Sequence, residues 1–339
     1  MKTFAIIVTY GNRFLLLRKV VLELLNIKID KIVIVDNKSE KESADQLIKL
    51  RKEYKSIIEV VSLNENTGSA KGYAIGIRKA LEYSDCEFIW LLDDDNKPDE
   101  NALSVLKEFW RDLKVQNKNE RVCLASHRKD RQIYKDAVIK NNPQLVLGRK
   151  NIFRAFHIAN MPSFLRNRIV KKIKKSNISV YSEKTAGEVY AVPYGGMFFN
   201  KDLIDLIGYP DEKLYLYVDD HEYSYRIIKK GGAIWLLLNS TIRDIDQSWH
   251  VQAKGFAVNR IAKDTNHIRL YYSIRNRVYF ERNELVTNRV VYYLNMIIYS
   301  LIVVGIALPN FKFKNIRIYC IALLHGLTGK MGINKNYEL

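Results

Sequence analysis

Apolar runs and helical stripes alternate along the first half of the chain. Residues 3–10 form a continuous apolar run, the pattern of a parallel strand buried on both faces. Helical spacing follows over 13–26. A second buried strand is expected at 31–36 (KIVIVD), a helix at 43–53 and a third strand at 57–63. A helix at 69–83, a strand at 87–92 (EFIWLL) and a helix at about 99–114 complete the series. This rhythm predicts a mostly parallel sheet with helices on both faces. The second half is less regular. It reads as a strand over 188–200 interrupted by Gly195 and Gly196, a helix over 220–230 and a strand over 233–238. From about residue 254 the pattern is mostly helical. Two regions are therefore expected, an α/β domain over 1–252 and a helical region over 253–339.

Charge changes that picture. The 339 residues carry a formal net charge of +18, which calls for a polyanionic partner. Residues 149–175, assigned to the first region, hold nine Lys or Arg and no acid, interleaved with Phe153, Phe156, Phe164, Leu165, Ile169 and Val170. Bases mixed with apolar anchors suit an anionic membrane surface, or else a solvated basic helix pair. Residues 290–308 contain no charge and are long enough to cross a bilayer core of about 30 Å. Asn295, Ser300 and Gly305 interrupt the run, and both flanks are basic. A helix lying in the interface, or packed in a C-terminal bundle, fits better than a span. Cys86, Cys123 and Cys320 are few, odd in number and widely spaced, as in a reducing compartment. The first residues read as a strand and not as a signal peptide.

In open α/β sheets ligands bind beyond the carboxyl ends of the strands, so the residues there are the chemical candidates. Strand one ends in Thr9-Tyr10-Gly11-Asn12 and strand two in Asp36-Asn37. Strand three is followed by Asn64-Glu65-Asn66-Thr67-Gly68, and strand four by Asp93-Asp94-Asp95. Three adjacent carboxylates repel one another unless a cation neutralises them. On an extended segment Asp93 and Asp95 would point the same way and share one hard cation, Mg²⁺ or Mn²⁺. An exposed acidic turn before Pro98 is the plainer alternative. Asp219-Asp220-His221-Glu222 opens a later helix. Capping needs only one of these acids; the excess points to a base near an acceptor hydroxyl. Arg275, on a late helix, can meet a phosphate or form an ordinary salt bridge.

Taken together and in order, these pieces resemble the family 2 glycosyltransferases, enzymes of the Rossmann-like GT-A fold. VTYGNR is similar to the family's first-strand motif, with an extra Gly11. IVDNKS resembles the second-strand motif, NENTGSAKGYAIGI the glycine-rich third segment and LLDDDNKP the metal-binding DxD. YVDDHEYSYR resembles the catalytic-acid motif, where the family usually has Glu-Asp, and YYSIRNRVYF a late helix. The resemblance covers roughly residues 3–285. It implies that Thr9, Tyr10, Asp36, Asn66, Gly68 and Asp93 or Asp94 hold a UDP- or dTDP-type nucleotide sugar. Gly195 and Gly196 would let the backbone approach the donor sugar. Asp93 and Asp95 would hold Mn²⁺ or Mg²⁺, with His250 as a third ligand, as in galactofuranosyl and rhamnosyl transferases; Asp244 or Asp246 is the alternative. Asp220 would be the general base, with Asp219 and Glu222 near the acceptor. The implied reaction is inverting sugar transfer to a glycan or lipid-linked glycan, in bacterial surface polysaccharide synthesis, on the cytoplasmic face of the membrane.

Other classes remain to be weighed. A dinucleotide-binding oxidoreductase shares the sheet type, but no G-x-G-x-x-G follows strand one. A nucleic-acid-binding protein would explain the charge, yet the chain has no recognised nucleic-acid motif, and none is expected as partner. A basic membrane-bound protein without turnover would need no metal.

Overall fold

The computed structural model describes residues 1–154, 156–160, 184–246 and 264–338. His250 and Lys171, Lys172, Lys174 and Lys175 lie outside them. The described residues form two compact units. The first contains 1–146 with 184–246, and the second 147–160 (without 155) with 264–338.

In the first unit the strands are β1 (Thr3–Gly11), β2 (Lys31–Ser39), β3 (Ile58–Ser62), β4 (Phe88–Asp93) and β5 (Asn96–Pro98). After them come β6 (Val122–Arg128), β7 (Ala186–Glu188), β8 (Met197–Asn200) and β9 (Ala233–Asp244). The helices are α1 (Phe14–Asn26), α2 (Lys41–Glu53), α3 (Gly68–Leu81), α4 (Ala102–Asp112), α5 (Lys118–Arg121), α6 (Gln132–Ile139), α7 (Leu203–Ile207) and α8 (Asp219–Lys229). Among the described residues the strands make one sheet, ordered β3-β2-β1-β4-β8-β6-β9-β5, with β7 beside β9. β3, β2, β1 and β4 run parallel, and so do β6 and β9; β8 is antiparallel to both its neighbours.

Alternation along β1 divides the core. Ala5 and Ile7 face one side with Leu17, Val20, Val21 and Leu24 of α1, whose spacing is helical. Phe4 and Ile6 face the other side with Tyr73 and Ile77 of α3. Register then aligns the strand ends. Thr9 is opposite Asp36 on β2, and Val8 opposite Asp93 on β4. The sheet therefore carries its polar residues to one edge.

Two strands were not expected from the pattern. β6 is buried along its whole length, including Ser126, His127 and Arg128. Its polar end broke the apolar signal. β5 is only three residues long, paired with the far end of β9. The expected strand at 188–200 divides into β7 and β8, because the stretch around Gly195–Gly196 leaves the sheet to pass the β4 end.

The second unit contains α9 (His267–Phe280), α10 (Arg289–Ala307) and α11 (Phe313–Thr328). The described start of the basic segment belongs here and not with the first unit. Asn151 Oδ1 accepts hydrogen bonds from the Thr287 and Asn288 amides, at 2.8 and 2.7 Å. Asn295, buried on α10, donates to Asn151 O and accepts from the Ile158 amide. Fully buried Glu281 accepts from the Arg154 amide and from Arg277. These polar contacts, invisible to hydrophobic periodicity, tie the middle of the chain to its C-terminal helices.

Candidate active site

Asp94 and Asp95 form a tight turn between β4 and β5, not the extended segment that strand alternation assumes. The three side chains consequently diverge. Asp93, whose side chain is 38% exposed, accepts from the Tyr73 hydroxyl at 2.8 Å and pairs with Arg128 at 3.3 Å. Asp94 turns inward and is 5% exposed. It accepts from Thr9 Oγ1 at 2.8 Å and from Arg13 Nε at 2.9 Å. Asp95 pairs with Arg13 at 2.9 Å. Asn96 Nδ2 donates to Asp95 Oδ1 and to Asp244 Oδ1, each at 2.9 Å. Asp244 also pairs with Arg128, and Asp246 with Arg13.

Asp93, Asp94, Asp95, Asp244 and Asp246 thus share two guanidiniums, Arg13 and Arg128. Arg13 comes from the first βα turn and Arg128 from the end of β6. Neither had an assigned role in the sequence, although Arg13 closes the VTYGNR motif. Carboxylates outnumber their partners, and the electrostatics reflect it. Burial pushes the Asp95 carboxyl up to about 7, helped by the charges of Asp93 and Asp94. Burial raises Asp94 as well, against the pull of Arg13. The donor atoms are all carboxylate oxygens, which suit Mg²⁺ or Mn²⁺. Among the described residues no three potential ligands already surround a common point. Such a set suits a hard cation that brings substrate oxygens and water with it.

The glycine-rich segment closes the neighbouring side. Asn37 binds the Thr67 amide through its Oδ1, and Asn66 Oδ1 and Gly68 O through its Nδ2. Gly68 has φ +77, and a Cβ there would lie 2.2 Å from Tyr215 O. Asp36 accepts from the Ser39 amide at 2.8 Å, at the end of β2. Tyr10 is exposed beside the turn, 5.5 Å from the Arg13 guanidinium.

Gly195 and Tyr194 link the aspartate turn to the second acidic motif. A Cβ on Gly195 would lie 1.9 Å from Asn96 Oδ1 and 2.8 Å from Asp93 Oδ2. Gly196, at φ +107, follows. The Tyr194 ring packs 4.2 Å from Tyr73 and 5.9 Å from Tyr223 of α8. α8 begins at Asp219, preceded by Tyr217 and Val218 at φ +67 and +70. Positive φ at a β-branched residue is strained, and such strain clusters at functional sites. Asp219 is 3% exposed and accepts from Ser69 Oγ at 2.7 Å. Burial, then the charge of Asp220, pushes its carboxyl up to about 8. Asp220 is partly exposed at the same helix start.

Two candidates stand apart. Glu222 forms a two-pronged ion pair with Arg226, at 2.7 and 2.6 Å. Arg226 also holds Ile207 O and Tyr209 O, so this pair anchors α8. Arg275 is buried in the second unit, bonded to Asn276 and Gly332.

Residues 5–160 match the family model for glycosyl transferase family 2. The chain carries a family 2 glycosyltransferase domain. The chain is 24% identical over 332 residues to the dTDP-rhamnosyl transferase RfbF of Shigella flexneri, covering 97% of this chain and 96% of that one. It is 26% identical over 234 residues to the galactofuranosyltransferase GlfT1 of Mycolicibacterium smegmatis, covering 67% of this chain and 65% of that one. Among solved structures, the mannosyltransferase PcManGT from Pyrobaculum calidifontis, in complex with GDP-Man and Mn²⁺, has a TM-score of 0.52 at 12% identity. It is matched over 97% of this chain and 88% of its own. GalNAc-T7 with UDP, GalNAc and Mn²⁺ has a TM-score of 0.51 at 15% identity, and this chain spans 54% of its length. The glycosyltransferase domain therefore has the GT-A fold, a mostly parallel sheet with flanking helices, followed by a helical C-terminal part.

Proposed function

We propose that this glycosyltransferase moves a sugar from a nucleoside diphosphate to a hydroxyl of a glycan or lipid-linked glycan, with inversion, in bacterial surface polysaccharide synthesis. The observation that carries the reading is the meeting of two acidic motifs through Tyr194 and Gly195 at one sheet edge. The dTDP-rhamnosyl transferase relative supports a dTDP-linked donor, and the galactofuranosyltransferase relative supports sugar transfer.

Asp93 and Asp95 would hold Mg²⁺ or Mn²⁺, with Asp244, which shares the Asn96 amide with Asp95, a described candidate to complete the set. When bound, such a cation supplies charge to balance the leaving diphosphate. Thr9 and Arg13 hold Asp94 inward, which fixes the turn and leaves Asp93, and to a lesser extent Asp95, open to solvent. Gly195 lets its own backbone pass against Asn96 and Asp93, which a side chain there would displace. Asp219 is buried and accepts from Ser69, and burial raises its carboxyl, so its place is to position and not to meet the acceptor hydroxyl. Asp220, partly exposed beside it at the positive end of α8, takes the acceptor hydroxyl's proton. The hydroxyl oxygen bonds to the anomeric carbon as the diphosphate leaves with the bonding pair. Holding both substrates at one edge lowers the entropic part of the barrier.

Membrane association belongs to the same reading. α10 buries Tyr292, Asn295, Tyr299, Val303 and Ala307 and exposes Val290, Leu294, Ile297 and Leu301. The exposed positions recur every three or four residues, continue to Leu308 and end at exposed Phe311 and Phe313. Lys312, Lys314 and Arg317 flank that end and complement an anionic bilayer. A helix with one face held by protein and one apolar face open suits a surface-lying helix. Free Cys86, Cys123 and Cys320 suit the cytoplasmic side.

The decisive experiment compares Asp220→Asn with Asp219→Asn, using a panel of UDP- and dTDP-sugars. Asp220→Asn keeps donor binding while transfer falls by about 10²–10⁴-fold. Asp219→Asn loses less, and chelator abolishes metal-dependent donor binding in the unmodified protein. Near-normal transfer by Asp220→Asn, or full donor binding in excess EDTA, overturns the respective assignment.

A further inference from the structure

A cavity of ≈ 620 Å³ opens in the second unit, bounded by α9, α11 and the tail at 330–337. Arg275, Lys314, Arg317, Lys330 and Lys335 line it, and no carboxylate is among the described lining residues. Arg275 forms the floor. It is 1% exposed, donates to Gly332 O, and lies 4.6 Å from the Tyr272 ring. Burial draws its pKa down, the response of a guanidinium that has lost water. The four rim cations are exposed. Among the described residues none of the four joins a salt bridge with a carboxylate. Tyr271 stiffens the wall, stacking on Tyr337 at 4.4 Å and bonding to His325 Nδ1 at 2.6 Å.

Five cations around one cavity repel one another. An anion of more than one charge held among them would relieve that repulsion. Lysine ammoniums provide adjustable point charges and Arg317 a planar fork, together the donor set for tetrahedral oxyanions. The volume exceeds that of one phosphate, and Ile318, Ile321 and Ile333 add an apolar flank. We propose that this cavity is a binding site for a phosphate or diphosphate group borne on a larger, partly apolar ligand. Such a group can come from a lipid headgroup or from a soluble phosphate ester. The inference rests on the second unit alone, not on the transfer reading.

Binding is measured without sugar donor and in EDTA, using the full chain. The probes are sodium pyrophosphate by calorimetry and phosphatidic-acid vesicles by flotation, with phosphatidylcholine vesicles as the neutral comparison. The test variant carries Lys314→Gln, Arg317→Gln, Lys330→Gln and Lys335→Gln. The control removes four exposed charges from α2 and its end, Lys41→Gln, Lys49→Gln, Lys52→Gln and Lys55→Gln. Melting curves verify that both remain folded. Pyrophosphate should bind the test variant at least about tenfold more weakly, and the control normally. Added salt should weaken the binding. Loss of pyrophosphate binding alone assigns a soluble phosphate source and loss of both a lipid source, whereas loss of vesicle binding alone reports only the basic membrane-facing end that includes Lys314 and Arg317 and refutes the site. If both probes bind the test variant as they bind the unmodified protein, or if test and control lose binding equally, the site is refuted.

Discussion

Arg13 shows how much one residue can hold. Its guanidinium meets Asp94, Asp95 and Asp246, and Asp94 is buried. Removing one partner of a buried pair leaves an uncompensated charge, which typically costs about 3–5 kcal/mol. Arg13→Ala should therefore lower unfolding free energy by about 3 kcal/mol in urea titrations, with Arg13→Lys intermediate. Asp219 poses the opposite case. Its folded-state pKa, about 8, lies above the unfolded value of about 3.9. Between those values the native state binds the proton that the unfolded state releases. Stability from this group is thus full at low pH and declines as pH rises from about 4 to 8. Asp95, pushed to about 7, adds to the same trend. Melting temperature should fall over that window, and Asp219→Asn should flatten the fall and melt higher than the unmodified protein at pH 8.

At the scale of elements, the site depends on how β4, β8 and α8 approach one another. The passage around Gly195 exists because no side chain intervenes between its backbone and Asp93. Gly195→Ala should push Asn96 and Asp93 apart, cost about 1–3 kcal/mol as overpacking does, and abolish donor binding. Stability and binding are read separately, so a loss of stability with normal donor binding would count against this role. Much of the sheet was legible from periodicity, because β1, β2 and β4 are buried on both faces and need continuous apolar runs. β6 was not, because Ser126, His127 and Arg128 are polar and yet buried. The burial of Ser126 is compensated by Ser240 and that of Arg128 by Asp93 and Asp244, and only the assembled sheet supplies these.

For the molecule as a whole, the net charge of +18 and the exposed apolar stripe on α10 point toward one surface partner. Leu294→Gln with Leu301→Gln should reduce flotation with anionic vesicles severalfold, and high salt should weaken what remains. A protein that stays in solution with anionic vesicles at low salt would refute peripheral attachment.

The chain by itself determined the alternation of strands and helices, the edge at which polar residues gather, and the family those motifs mark. These follow from local burial and spacing, which a linear pattern records. The tertiary structure alone decided which charges meet. Arg13 and Arg128 are 115 positions apart and divide one set of carboxylates between them. It also decided that 151–158 packs with α10 and that five cations surround one cavity. Electrostatic and hydrogen-bonding partners are chosen by proximity in space, and a sequence pattern carries no distance between residues far apart in the chain.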